Sequence, residues 1–250
     1  MQIVASAIFC NAFTKEENVS NTSIDNPRQE IEEAIAAGDL DKLLRMAGAL
    51  HGHFCPGLAS GVKAAVRAVK ELGVKSRGME EVIAIVETNS CFSDGVQFVT
   101  GCTFGNNALI YRDYGKTAFT LARRSGEALR ISVKADRLME ERPPEATQLF
   151  ERVVVKRSGT EADREQLRRL WKELSFKVLN IPDEEAFNIK MMAVEVPAYA
   201  RIFASVKCSV CGENVMEPRV RNKDGKPVCI PCSGQEYYQL AGDGMSIRGS

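Results

Sequence analysis

Residues 82–133 read VIAIVETNSCFSDGVQFVTGCTFGNNALIYRDYGKTAFTLARRSGEALRISV, and this stretch decides the fold. Val82 to Val86 is an unbroken apolar run rich in branched side chains, the pattern of a strand buried on both faces. The run ends near Glu87 to Asn89, and a short helix is expected from Asp94 to about Thr100. Three further strands are expected at Leu109 to Tyr111, Thr117 to Leu121 and Ala128 to Val133, divided by Gly115 and Gly126 where turns belong. Such a succession reads as a meander, not as a repeated strand–helix alternation.

The flanks supply the helices. Asp25-Asn26-Pro27 offers a cap and a first-turn proline for a helix that runs to Ala37 and stops at Gly38. A second helix begins at Asp39. Its apolar positions Leu40, Leu43, Leu44, Ala47 and Leu50 recur at helical spacing and deliver the chain to His51. Pro56 opens a third, with an inward stripe of Leu58, Val62, Ala65, Val66, Val69 and Leu72, ended by Gly73. Downstream, helices are expected from Pro143 and Pro144 toward Val155 and from Thr160 to Phe176, the second with Leu167, Leu170, Trp171 and Leu174 inward. Strands are expected at Ile189 to Val196 and Arg201 to Val206. The fold class is α+β.

Basic and acidic residues balance at 33 each, which removes any global electrostatic argument for nucleic acid or a membrane surface. No apolar run approaches the roughly 20 residues that span a bilayer. The opening MQIVASAIFC has no basic residue before its apolar run and leads into the polar segment Lys15 to Asp25, so residues 1–25 read as an N-terminal extension rather than a signal peptide. Eight cysteines in 250 residues, four of them in C-x-x-C pairs, favour metal over disulfides and hence a reducing, cytoplasmic setting. The expected organisation is that extension, a core over 26–204, a ribbon over 205–235 and a tail over 236–250.

Cys208-Ser-Val-Cys211-Gly and Cys229-Ile-Pro-Cys232 are two knuckles separated by 17 residues. That spacing lets two tight turns present four thiolates tetrahedrally to a structural Zn2+. Between them, Val215 to Arg221 and Lys226 to Val228 read as a hairpin turned at Asn222-Lys-Asp-Gly225. A closed four-thiolate shell has no open position, so catalysis belongs elsewhere. Arg219, Arg221, Lys223 and Lys226 suggest nucleic-acid contact, weakly, because a short basic hairpin is more often just solvated.

Both histidines of the chain lie in His51-Gly-His53-Phe-Cys55-Pro-Gly57. If this segment is extended, positions 51, 53 and 55 share a face. If Pro56 begins a helix, Cys55 sits at its N-terminus, where unpaired N–H groups favour a thiolate. Zinc, iron or copper suits such donors. A second cluster, Asn89-Ser-Cys91-Phe-Ser-Asp94-Gly-Val-Gln97, follows the buried strand. Cys91 and Asp94 are candidates for the same pocket, whereas Cys102 lies on the order of 15 Å along the expected helix and reads as a buried hydrophobe. A cysteine nucleophile assisted by histidine competes with metal binding. Dinucleotide fingerprints, P-loops, nucleophile elbows and HExxH are absent from the sequence.

HGHFCPG at 51–57, the stretch 82–119 and the terminal ribbon resemble the FmdE family, named for a component of molybdenum formylmethanofuran dehydrogenase. The resemblance implies an α+β core with a mixed sheet, related in topology to the catalytic domain of glyceraldehyde-phosphate dehydrogenase, and an intertwined homodimer. It also implies a core metal or active site on His51, His53, Cys55 and Cys91, with catalytic roles for Cys55, His53 and Asp94 and a cofactor contact at Gln97. The chain departs from the usual pattern at Asp-Gly-Val-Gln (94–97) and Gly-Asn-Asn (105–107), which adds a glycine and removes a lysine. Two classes stay open. One is an accessory or stand-alone metal protein of this family, catalytic or not, with the other components of such a complex as partners. The other is a dimeric metal- or ligand-sensing regulator whose ribbon contacts nucleic acid or protein.

Overall fold

The computed structural model describes residues 26–249, so the expected N-terminal extension lies outside the described residues. Three helices open the core: α1 (Gln29–Ala37), α2 (Leu40–His51) and α3 (Pro56–Leu72). β1 (Val82–Val86), α4 (Cys91–Thr100), β2 (Leu109–Tyr111), β3 (Ala118–Arg123) and β4 (Glu127–Val133) follow. Then come α5 (Ala135–Glu140), α6 (Pro144–Phe150), α7 (Glu161–Leu179), the single turn α8 (Asp183–Ala186) and β5 (Phe187–Ala193).

The sheet has the order β2-β1-β3-β4-β5. β2 runs parallel to β1, with Ile85 beside Ile110, and every other pair is antiparallel, so the sheet is mixed. The expected meander is therefore corrected: β3 crosses to the far side of β1 instead of pairing with β2. The physical reason is that all of β1 is buried and needs a partner on both edges. Phe119 on β3 meets Phe92 of α4 with ring centroids 6.0 Å apart, which places the helices on that face of the sheet.

Helices α3 and α4 cross backbone against backbone. A methyl group on Gly61 would overlap the carbonyl oxygen of Phe92, and one on Gly95 would lie 2.6 Å from the carbonyl oxygen of Leu58. The added glycine at 95 is thus a packing residue. Because Gly57 also abuts Cys91, the two helices approach along their first turns and their N-termini converge. Buried Lys63 ties α3 to α7 by donating to the carbonyls of Leu179 and Ile181 at the end of that helix.

Other boundaries shift for local reasons. α4 begins at Cys91 rather than Asp94, with Ser90 in extended backbone before it. α6 passes into a π-helical turn over Glu151–Val155. The strand expected over 201–206 is only β6 (Ser205–Lys207), and it pairs with β7 (Asn214–Met216). A 3-10 turn at Glu217–Arg219 then separates β7 from β8 (Arg221–Lys223), which pairs with β9 (Lys226–Val228) before the short α9 (Ile230–Ser233). Pro218 lacks the N–H a continuous strand needs, so the ribbon holds two small hairpins instead of one. The expected tail contains a hairpin, β10 (Tyr237–Ala241) and β11 (Gly244–Arg248). It docks where β1 and β2 end: Asn89 Nδ2 donates to the carbonyl of Ala241, and the N–H of Met245 donates to Asp113, each at 2.7 Å.

Candidate metal centre

The HGHFC segment is not a strand. His51 ends α2, Gly52 leaves the helix with a left-handed φ of 89°, and Cys55 caps α3 in extended conformation. Phe54 lies on Gly48 and near Phe176, with ring centroids of the two phenylalanines 5.8 Å apart, which pins the intervening turn. Cys91 enters from the first position of α4. The close crossing of α3 and α4 brings the two cysteines together.

One donor atom from each of His51, His53, Cys55 and Cys91 lies within 4.8 Å of the others. The Nε2 of His51 stands 3.8 Å from the Cys55 Sγ. Bonds of about 2.0 Å to nitrogen and 2.3 Å to sulfur at a tetrahedral angle span roughly 3.5 Å, so these residues fit a shared zinc-like ion with small adjustment. Asp94 Oδ2 is 2.6 Å from His51 Nδ1. An ionised carboxylate can only accept, so Nδ1 carries the proton and the lone pair of Nε2 points at the cluster.

Charge reinforces the arrangement. The Cys91 thiol is lowered to about 6, first by its hydrogen bond with Cys55, with a hydrogen bond from His51 and a backbone N–H adding to it. Cys55 is pushed up, first by the same shared bond and then by burial. Cys91 is the less enclosed of the two. His53 is lowered by burial and by His51, which keeps its imidazole neutral as ligation requires.

Of the residues foreseen from sequence, His51, His53, Cys55 and Cys91 come together, and Asp94 stands behind His51. Gln97 lies outside the four-donor set, one turn along α4. Cys102 is fully buried and its thiol faces the Val82 carbonyl at 3.6 Å. Sequence reading missed the role of Trp171, whose ring stacks on His53 at 6.0 Å and 27°.

In the ribbon, Cys208, Cys211, Cys229 and Cys232 also offer sulfurs within 4.8 Å of one another. Cys211 and Cys229 are 3.9 Å apart, close to the roughly 3.8 Å edge of a zinc tetrathiolate. The N–H groups of Val210 and Cys229 donate to the Cys208 sulfur, which is held below the ordinary thiol range by such bonds, at about 6. Of the basic residues singled out there, Lys223 donates to the Cys232 carbonyl at 3.3 Å and so braces the second knuckle. Among the described residues no helix is long and apolar enough to cross a membrane.

Comparison with known proteins bears on the ribbon and on the family of the core. Residues 201–238 match the prokaryotic dksA/traR C4-type zinc finger. A curated protein of Archaeoglobus fulgidus, named "Probable S-adenosyl-L-methionine-binding protein", is 42% identical over 219 residues, covering 86% of this chain and 58% of its own length. The chain thus spans little more than half of that relative. The crystal structure of a tungsten formylmethanofuran dehydrogenase FmdE-like protein from Syntrophus aciditrophicus has the same fold, with a TM-score of 0.50 and 21% identity over 78% of this chain and 92% of that one. Residues 50–188, more than half the chain and all of the core cluster, match the family model described as FmdE, molybdenum formylmethanofuran dehydrogenase operon, and the chain belongs to that family.

Proposed function

We propose that the FmdE core is a metal-binding centre in its own right, holding one transition-metal ion of the zinc class on His51, His53, Cys55 and Cys91. The ribbon binds a second, structural zinc. The observation that carries this reading is the convergence of two imidazoles and two thiols from three separate elements, with Asp94 fixing the donor tautomer of His51. Satellite carboxylates of this kind orient metal-binding histidines and raise their basicity. A bound ion supplies Lewis acidity; the chain supplies two helix N-termini that favour thiolates, and a tilted pair of imidazoles 4.3 Å apart. Cys55 is a ligand rather than a nucleophile in this account, because it is only 4% exposed and has no approach for a substrate. Asp94 is a positioning residue.

A second reading takes up the name of the Archaeoglobus relative. Trp171 beside His53 offers a flat face for an adenine ring, which would suit S-adenosyl-L-methionine next to the metal. The partner proposed for either reading is a second copy of the chain, since β5 leaves one edge of the sheet open with Met191 exposed.

The test is cobalt titration of a Cys208→Ser/Cys211→Ser variant, whose ribbon no longer competes. The expected result is one equivalent bound, with thiolate-to-cobalt charge-transfer absorption that disappears when Cys55 and Cys91 are also replaced. Absence of those bands would refute the core site.

A further inference from the structure

The chain has one tryptophan, and three arginines stand around the cleft it lines. Arg164, Leu167, Arg168 and Trp171 recur at spacings of three and four along α7, so they form one stripe of helix surface. Facing it are Val153 and Val154 of the π-helical turn and, just beyond, Arg157. With His53 at its inner end, this cleft measures about 520 Å³. That volume falls in the range of roughly 300–1,000 Å³ that holds small organic molecules.

Its charge is lopsided. Arg164 and Arg168 share a single carboxylate, Glu161, at 3.4 and 2.9 Å. Arg157 has no carboxylate partner among the described residues, and no acidic residue lines the cleft. Arg157 also takes a left-handed φ of 54°, where glycine or asparagine would cost less. A π-helical turn next to a left-handed arginine is an expensive way to close a loop, and such irregularities recur at ligand sites. The indole N–H of Trp171 is shielded from solvent and has no acceptor among the described residues, so this end of the cleft wall carries an unsatisfied polar group.

We infer that this cleft binds a small organic polyanion, a molecule with two or more carboxylate or phosphate groups. Its acidic end meets Arg157, Arg164 and Arg168, and its other end lies against Trp171 and His53. Guanidinium forks match both anion types in a bidentate manner, and their convergence selects multiply charged ligands over singly charged ones. The inference names the ligand class of the centre proposed above and rests on that reading only in placing the ligand beside a metal.

Because Trp171 is the sole tryptophan, fluorescence of the full-length protein excited beyond the tyrosine absorption band reports on this cleft. Tricarballylate and fructose 1,6-bisphosphate are the probes, at constant ionic strength set with chloride. The expected result is a saturable fluorescence change with one or both. Binding should weaken tenfold or more in Arg157→Gly/Arg168→Gln, whose glycine relieves the backbone, and be unchanged in Arg219→Gln on the ribbon. Undiminished probe binding by protein stripped of core metal would support the cleft even if the cobalt titration refuted the metal site. No saturable change with either probe, or equal affinity in the double variant, would overturn the inference. So would S-adenosyl-L-methionine saturating at lower concentration with no dependence on the arginines.

Discussion

Asp94 and His51 lie 43 positions apart in sequence and meet at 2.6 Å, carboxylate oxygen to ring nitrogen, at the point where α2 ends and α4 begins. This contact directs the other ring nitrogen of His51 at Cys55. If it serves a metal, its loss is felt in affinity more than in folding. Asp94→Asn should weaken core metal binding about 10–100-fold while leaving the ribbon metal in place. Competition with a chelator of known affinity, run on the ribbon-disabled protein, measures this directly.

The crossing of α3 and α4 supports the same centre from below. Gly61→Ala places a methyl group where the Phe92 carbonyl sits, and backbone cannot yield as a side chain does. The variant should lose roughly 3 kcal/mol, the upper end of overpacking costs, and bind core metal more weakly because Cys55 and Cys91 are pushed apart. Urea denaturation gives the first number and metal competition the second.

Glu87 directly follows β1 and is 5% exposed; Arg130 reaches over from β4 and grips it with two contacts of 2.7 Å. Replacing Glu87 with Gln leaves the guanidinium half-buried without a counter-charge. A loss of about 2–3 kcal/mol is expected, part of the cost of breaking a buried pair. Thermal melting of Glu87→Gln against Glu87→Gln/Arg130→Met separates the stranded charge from the lost contact: the double variant should recover much of the stability.

The ribbon should behave as an independent metal-dependent unit. With only Val215, Val228 and the cysteines at its centre, it has too little apolar area to fold alone. Cys229→Ser should remove one equivalent of zinc and open residues 205–235 to proteolysis. The melting of the FmdE core should stay within a few degrees of wild type.

Much of this was legible before any coordinates. The paired knuckles name their own chemistry because four cysteines at that spacing have few other uses, and Val82–Val86 announces a strand buried on both faces. HGHFC declared donors, yet the pattern could not say whether the segment was extended or a helix–turn–helix joint; Gly52 decides this with a conformation that glycine hides in sequence. The sequence offers Cys91 only as a candidate for the pocket, because its place depends on Gly61 and Gly95, a contact between residues more than 30 positions apart that leaves no local periodicity. β2 was misplaced for a similar reason: three residues carry no signal for which neighbour they join. Trp171 read as core packing, since a helical stripe looks the same whether it meets aliphatic side chains or an imidazole.

The central claim is that the chain holds two metal ions at two separate four-donor sites. Metal-to-protein stoichiometry by mass spectrometry, on protein purified without chelators, tests it most directly. Two equivalents per chain are expected for wild type, one for Cys55→Ser/Cys91→Ser and one for Cys208→Ser/Cys211→Ser. A single equivalent in wild type that vanishes with the ribbon cysteines and ignores Cys55 and Cys91 would contradict the account.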